Sequence, residues 1–146
     1  MTIDFANIAM LNLTLHPATS EQLEEGVIDC RPSTREELIE ELTFNDLPNR
    51  WEVSRRIERI VELANHEFSY YKHAFRKANP KESCPLLTGY VMIGGAPFLM
   101  HDLEDKLREA GYIIRYAFSK RQSVEFTTAA GVVKKSVFLH AGFVHA

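Results

Sequence analysis

The sequence predicts an α/β protein, a three-layer sandwich with a mostly parallel central sheet and a C-terminal antiparallel hairpin. Apolar, β-branched runs alternate with amphipathic segments along the first 118 residues, which is typical of parallel strands joined by helices. The run that ends at Ile93 is almost wholly apolar, as in a central strand covered on both faces. Residues 124–128 and 132–139 flank the turn Ala-Ala-Gly and form the hairpin. The predicted order is β-α-β-α-α-β-α-β-β-β, with right-handed connections.

The first two strands enclose a short helix. Residues 7–15 (NIAMLNLTL) are apolar with β-branched character and form the first strand, which a His-Pro pair ends. Thr19 or Ser20 caps the helix that follows, and acidic residues lie in its first turn, where the helix dipole favours them. A glycine stops this helix, and residues 27–30 form a short second strand.

Two helices are predicted in the middle of the chain. Ser33 and Glu36 fit the S-x-x-E capping box, which places a helix start at Ser33. After a break at residues 45–49, residues 51–75 form a long helix with one apolar face. The second half of this helix is rich in aromatic residues, which leaves two interpretations open, additional core or a dimer interface. These residues are Phe68, Tyr70, Tyr71 and Phe75.

The third strand leads through a glycine turn into another helix and strand. Residues 86–93 form the strand, and Pro97 suits the first position of the helix at residues 98–110. Gly111 closes that helix as a C-terminal cap. Residues 112–118 then form the fourth strand.

Size and composition limit the possible functions. The 146 residues suit one domain, residues 1–146, and a net charge of -3 argues against general binding of duplex DNA. We expect a cytoplasmic protein, because the start lacks a basic signal-peptide region and no apolar run approaches the roughly 20 residues that span a membrane. Cys30 and Cys84 have no CxxC partner, and the histidines lack metal-site spacing. We therefore expect idle thiols, no metal and no cofactor.

Ligands of such sheets bind beyond the carboxyl ends of the strands, near the point where the strand order reverses. Three segments of the sequence are candidates on this ground. They are the end of the first strand, the glycine turn after the third strand and the segment after the fourth strand. The candidate residues are Asn12, Thr14 and His16; Gly94, Gly95 and Ala96; and Ser119, Lys120, Arg121 and Ser123.

Each candidate has a functional and a structural interpretation. Backbone N–H groups of the glycine turn bind phosphate or carboxylate well, or the glycines only make a tight turn. Lys120 and Arg121 can pair with that turn around a phosphate, or they belong to a solvated basic loop. His16 is a candidate general acid or base, or a polar contact at a strand end. The residues alone leave these alternatives open.

The second half of the chain resembles small CRISPR-associated accessory proteins of type III systems. The pattern is an apolar strand, G-G-A, a Leu-rich helix, a strand ending in Y-A-F-S-K-R, then Q-S-V-E and a hairpin with V-V-K-K. The start, LNLTLHPATSEQ, is similar to that group as well. The likeness covers residues 90–138 and this start, whereas residues 30–84 match no pattern of the group. The hairpin turn, Ala-Ala-Gly instead of Asp-Gly, and the expanded middle helix also depart from it.

The resemblance implies a Rossmann-like fold and a role in cyclic oligoadenylate signalling. Members include ring nucleases, in which a ribose 2′-hydroxyl attacks the adjacent phosphate without a metal and the protein supplies positioning and charge stabilisation. A two-fold ligand would suit a homodimer. The implied roles are phosphate binding by Gly94, Gly95 and Ala96, charge stabilisation by Lys120 or Arg121, contacts to ribose or phosphate from Ser119 and Ser123, and acid–base catalysis by His16.

Two other classes of function remain open at this stage. A non-catalytic module that senses a nucleotide or docks on a partner protein would use the same pocket without a positioned His16 or Ser119. A structural or interaction protein would use the glycine turn only as a turn. Loss of ligand affinity on Arg121→Ala would separate the last class from the other two.

Overall fold

The structure is a computed structural model that describes residues 10–81 and 89–146. Within these stretches the chain forms five strands and four helices. Their order is β1 (Met10–Leu13), α1 (Ser20–Glu24), β2 (Val27–Asp29), α2 (Pro32–Leu42), α3 (Arg50–Ala78), β3 (Tyr90–Ile93), α4 (Pro97–Glu109), β4 (Ile113–Thr128) and β5 (Gly131–His145). The parts of the predicted first and third strands at residues 7–9 and 86–88 lie outside the described residues, as does Cys84.

All five strands belong to one mixed sheet with the order β2-β1-β3-β4-β5. The first four strands pair in parallel, and β5 pairs with β4 in the antiparallel sense. The predicted α/β class, with a mostly parallel sheet and an antiparallel pair at the C-terminal end, is therefore confirmed. The chain leaves β1 towards β2 on one side and leaves β3 towards β4 on the other, so the strand order reverses between β1 and β3.

The main hydrophobic core lies on one face of the sheet. Leu11, Leu13, Val91 and Ile93 point to this face and pack with buried residues of α2, α3 and α4. Because side chains alternate along a strand, their neighbours point the other way. Met10, Val27 and Met92 form a smaller cluster there, with Ala18 and Phe143 packed against it. None of the helices in the described residues has the length and apolarity that a membrane span requires.

The aromatic half of α3 belongs to the core. Phe68, Tyr71 and Phe75 are each about 95% buried, and the Phe68 ring stacks on Tyr112 at 5.0 Å between centroids. Tyr70 is partly exposed, but the Arg31 guanidinium covers its ring at 3.6 Å. Of the two interpretations left open by the sequence, additional core is correct for Phe68, Tyr71 and Phe75.

The starts of the helices confirm one predicted cap and correct another. Thr19 caps α1 in a reciprocal capping box with Gln22. In contrast, α2 begins at Pro32 with Arg31 as its N-cap, so the predicted capping box of Ser33 is wrong. Proline is favoured at the first helical position, because its φ angle suits the helix and its missing N–H is not needed there.

The predicted end of the fourth strand at residue 118 is also wrong. β4 continues to Thr128 and pairs with β5 from Arg115 to Thr128, with a register shift between Phe118 and Ser119. The segment S-K-R-Q-S contains no glycine or proline to break a strand, so it remains extended. We call residues 119–128 and 131–140 the ribbon. Ser119, Lys120, Arg121 and Ser123 thus lie within the ribbon and not in a loop.

Candidate functional site

The carboxyl ends of β1 and β3 lie side by side where the strand order reverses, and we call this edge of the sheet the crevice. Thr14 follows β1 and Gly94 follows β3, and the two loops then leave towards α1 and α4. A Cβ atom built on Gly94 would lie 3.6 Å from Cγ2 of Thr14, so the two loops are in contact. Diverging loops at such a point form the usual ligand crevice of open α/β sheets. The structure therefore brings together two of the three segments that the sequence singled out.

Asn12 holds the loop after β1 in place. Its side chain is fully buried, and Nδ2 donates hydrogen bonds to the His16 carbonyl and to Asp29 Oδ1, both at 2.8 Å. Oδ1 accepts from the Thr14 backbone N–H at 2.9 Å and from the Thr14 hydroxyl at 2.7 Å. An amide has two donor hydrogens and two acceptor lone pairs, and all four are in use. Asn12 therefore shapes the crevice from below and offers no free group to a ligand.

His16 lies at the rim of the crevice with its imidazole exposed. Its backbone carbonyl is fixed, because it accepts the hydrogen bond from Asn12 and lies 3.1 Å from the Thr14 hydroxyl. Within residues 10–81 and 89–146, the ring itself makes no hydrogen bond or ion pair. The backbone thus positions His16, while its ring nitrogens have no partner among the described residues.

The glycine turn provides backbone donors on the other side of the crevice. Gly95 has a φ of +144°, a conformation that residues with a side chain rarely adopt. Pro97 is the first residue of α4, and among the described residues no side chain caps this helix start. The N-terminal turn of α4 and its positive dipole end therefore face the crevice without a competing acceptor. Gly94, Gly95 and Ala96 can bind an anion there.

Arg35, in the first turn of α2, adds a cation that the sequence reading missed. Its Nη2 donates to the Leu15 carbonyl at 2.8 Å, which places the guanidinium beside the loop that carries His16. Nη1 is buried and has no hydrogen-bond partner in the part of the chain that the structure describes. A buried donor on a charged group is unfavourable without an acceptor. The sequence contains one signal that could have identified Arg35. The residue lies near the start of the helix that follows β2, and this helix starts at the same edge of the sheet as the crevice.

The cations of the ribbon are separate from the crevice. Met92 pairs with Arg115, so Gly94 is level with Ala117 on β4. Arg121 is four residues further, about 13 Å along an extended strand. Its guanidinium lies 5.4 Å from the centre of the Phe138 ring, opposite it on β5. Within a single copy, the structure does not bring Ser119, Lys120, Arg121 or Ser123 to the glycine turn.

Cys30 is not a nucleophile. The side chain is buried, and its thiol donates to the Asn12 carbonyl at 3.7 Å. Burial raises the pKa of the Cys30 thiol to about 12, and the negative charges of Glu67 and Asp29 act in the same direction. The thiol therefore stays protonated at neutral pH and reacts slowly. The expected burial is confirmed for this cysteine.

One group of side chains among the described residues has metal-ligand types close together. It consists of His101, Asp102 and Asp105 on α4, and all three are exposed. Asp105 also lies 3.8 Å from Arg108, and His101 lies 3.6 Å from Asp105, as in ordinary ion pairs on a helix surface. Exposed acidic groups of this kind are common without a bound ion. These contacts carry no assignment of a metal.

Comparison with known proteins gives one family and no individual relative. No curated protein matches the chain, and no solved structure matches it either. The model of a family described as the Uncharacterized protein MJ1673 family matches residues 8–144. This span contains the crevice and the whole ribbon. The chain therefore belongs to the MJ1673 family of uncharacterized proteins.

Proposed function

We propose that the crevice between β1 and β3 binds the phosphate of a nucleotide, and that the nucleotide is a cyclic oligoadenylate. The observation that carries the proposal is Arg35, whose Nη2 donates to the Leu15 carbonyl, one residue after Thr14, and whose buried Nη1 has no partner among the described residues. The glycine turn follows β3, the neighbour of β1 in the sheet, and its backbone N–H groups would bind the same phosphate. The proposal treats the sheet as a Rossmann-like three-layer sandwich. In this sandwich α1 alone would form the helical layer on the second face of the sheet.

The class of ligand rests on two arguments. The first is the resemblance of residues 90–138 to accessory proteins of cyclic oligoadenylate signalling. The second is charge, because a protein with a net charge of -3 suits a small anion in a local pocket better than duplex DNA. Arg121, further along β4, would reach a ring of several nucleotides but not a mononucleotide, whereas Lys120 points to the opposite face of the ribbon. Ser119 and Ser123 would face the same part of such a ring.

Replacing Arg35 with Met is expected to weaken binding of cyclic tetra-adenylate by about tenfold to a hundredfold. The reason is that a charge-assisted hydrogen bond to phosphate contributes about 1.5–3 kcal/mol. Isothermal titration calorimetry gives the affinity. Arg59→Met on α3 is the matched control, because Arg59 is exposed and pairs with Glu37 and Glu62. Equal affinities of the two variants would contradict the proposal.

Cleavage of the ring is a second candidate function, and the free imidazole of His16 favours it. In this reaction a ribose 2′-oxygen bonds to the adjacent phosphorus while the bond from that phosphorus to the next 5′-oxygen breaks. The 2′-hydroxyl proton passes to His16, and the departing 5′-oxygen takes a proton from solvent. The products are a linear oligoadenylate with a 2′,3′-cyclic phosphate and a 5′-hydroxyl. Arg35 and the glycine turn would stabilise the charge that develops on phosphorus.

If the ring is cleaved, His16→Ala should lower the rate constant by a factor of about 10²–10⁴, the usual contribution of a general acid or base. The protein would be incubated with cyclic tetra-adenylate or cyclic hexa-adenylate in the presence of EDTA, and the products separated by chromatography. His73→Ala is the control, because His73 is exposed on α3. Intact rings with retained binding would identify a non-catalytic sensor. A His16→Ala variant as fast as His73→Ala would rule out the role of His16.

A further inference from the structure

We propose that the ribbon binds single-stranded RNA along the face that carries Arg121 and Phe138. Side chains alternate between the two faces of a strand pair, and the two residues of each cross-strand pair share a face. On this face, here called the Arg121 face, three successive rows are Arg121 with Phe138, Ser123 with Ser136, and Glu125 with Lys134. The inference concerns a linear strand, and it depends neither on the crevice nor on its ligand.

The ribbon concentrates positive charge in a protein that is acidic elsewhere. It carries four of the 17 Lys and Arg residues and one of the 20 Asp and Glu residues of the chain. The ribbon thus has a formal charge of +3 and the rest of the chain has -6, which together give the net charge of -3. A polyanion would be attracted to the ribbon and repelled by the remaining surface. This separation favours a flexible single strand that follows the ribbon over a rigid duplex that also approaches the acidic surface.

Most of the ribbon cations have no carboxylate partner among the described residues. Only Lys134 is paired, with Glu125 at 3.5 Å. The three cations without an ion pair in residues 10–81 and 89–146 are Lys120, Arg121 and Lys135. In contrast, Arg108 on α4 pairs with two carboxylates. An unpaired guanidinium can bind a phosphate through two parallel N–H groups, so Arg121 suits the backbone of a nucleic acid.

Phe138 provides a surface on which a nucleotide base can stack. Its side chain is 66% exposed, against 42% for Phe126 on the opposite face of the ribbon. The Arg121 guanidinium lies 5.4 Å from the centre of the Phe138 ring, so a base stacked there also meets a cation. Aromatic rings combined with cations are typical of sites for single strands, whose bases are free to stack on a side chain.

Exposed serine hydroxyls favour RNA over DNA as the bound strand. Ser123 and Ser136 lie opposite each other in the row next to Phe138, and neither hydroxyl has a hydrogen-bond partner in the part of the chain that the structure describes. Neighbouring rows of one face are two residues apart, about 7 Å along a strand. The ribose of a base stacked on Phe138 therefore lies within reach of these hydroxyls. Its 2′-hydroxyl is the group by which a protein distinguishes RNA from DNA.

Phe138→Ala is expected to weaken binding of single-stranded RNA about tenfold, as expected for the loss of one stacked base, and to leave the salt dependence of binding unchanged. The probe is a fluorescein-labelled oligouridylate of about 12 nucleotides, and fluorescence anisotropy gives the dissociation constant at several salt concentrations. Phe126→Ala is the matched control on the opposite face. Phe138→Trp should retain binding, which separates a loss of stacking from a loss of fold. Equal effects of the two alanine variants would overturn the proposal.

Arg121→Met should weaken binding of the same probe and also change its salt dependence. The slope of log affinity against log salt should become shallower by about 0.7, the value for one phosphate contact to a single strand. Arg108→Met removes the same charge from α4, where two carboxylates already neutralise it, and should alter neither quantity. The proposal would be overturned by a wild-type protein that does not bind the oligouridylate. Equal affinity for an oligodeoxyuridylate, or tighter binding of an RNA duplex, would also overturn it.

Discussion

Arg31→Met is expected to lower the free energy of unfolding by about 3–5 kcal/mol, the usual result of removing one partner of a buried ion pair. The other partner is Glu67 on α3, whose side chain is completely buried. Its carboxylate accepts from Nη2 of Arg31 at 3.0 Å and from the Arg31 backbone N–H at 3.2 Å. Without the guanidinium, the backbone N–H alone would have to stabilise a buried negative charge. Urea denaturation followed by circular dichroism measures the loss.

Two further variants separate this effect from a general loss of packing. Arg59→Met breaks exposed ion pairs and should change stability by less than about 1 kcal/mol. The double variant Arg31→Met with Glu67→Met removes both charges and should recover a large part of the loss, because no buried carboxylate is left unpaired. A double variant no more stable than Arg31→Met would show that the loss comes from the Arg31 guanidinium contact with Tyr70 and not from an unpaired carboxylate.

The ion pair also has a consequence for the crevice. Arg31 is the N-cap of α2, and Glu67 fixes its backbone N–H, so the pair holds the start of α2 against α3. Arg35 lies one turn further along the same helix and contacts the loop after β1. A shift at the start of α2 would therefore move the cation of the crevice. We expect Arg31→Met to weaken phosphate binding even under conditions where the protein remains folded.

The position of the crevice could be predicted from the sequence, because it depends on local patterns and one topological rule. The apolar run before Gly94 and Pro97 after it identify a strand, a turn and a helix start. The rule that parallel sheets bind ligands where their order reverses then points to the ends of the first and third strands. The contact between Thr14 and Gly94 follows from this reasoning without any knowledge of the middle helices.

The residues missed or misplaced by the sequence depend on contacts between distant segments. Asn12 has the polar side chain of a ligand-binding residue, but Asp29, 17 positions later, takes one of its donors. Arg35 contributes only because α2 places it against the Leu15 carbonyl. Glu67 gave a partial signal, since it is a charged residue on the apolar stripe of α3 between Ala64 and Tyr71. Its partner Arg31 lies 36 positions earlier, and no local sequence pattern identified it.

The ribbon was misread for a different reason. The predicted fourth strand ends at residue 118, before the polar segment S-K-R-Q-S, and such polarity is common in loops. A two-stranded ribbon needs polar residues on one face, so polarity did not distinguish the two structures. The absence of glycine, proline, asparagine and aspartate between Phe118 and Thr128 was the better signal. It indicates a strand that continues well beyond the residues that pair with β3.

Asn12→Leu tests whether this residue builds the crevice or contacts the ligand. The structure predicts a loss of stability in the absence of ligand, about 1–3 kcal/mol for each buried polar group left without a partner. The group concerned is the Thr14 N–H, because the His16 carbonyl keeps the Thr14 hydroxyl at 3.1 Å and Asp29 Oδ1 retains its bond from the Ala18 N–H at 3.0 Å. Thermal denaturation of the ligand-free protein measures this loss.

Thr14→Val is the control that separates stability from binding at the crevice. It removes the Thr14 hydroxyl, keeps a methyl group against Gly94 and leaves the backbone N–H bonded to Asn12, so the expected loss is about 1 kcal/mol. Asn12→Leu should therefore be the less stable variant and should also lose affinity for cyclic tetra-adenylate, because His16 and Thr14 no longer hold their places. An Asn12→Leu protein of wild-type stability that does not bind would instead assign Asn12 a direct contact with the ligand. The two outcomes distinguish a residue that positions the crevice from one that lines it.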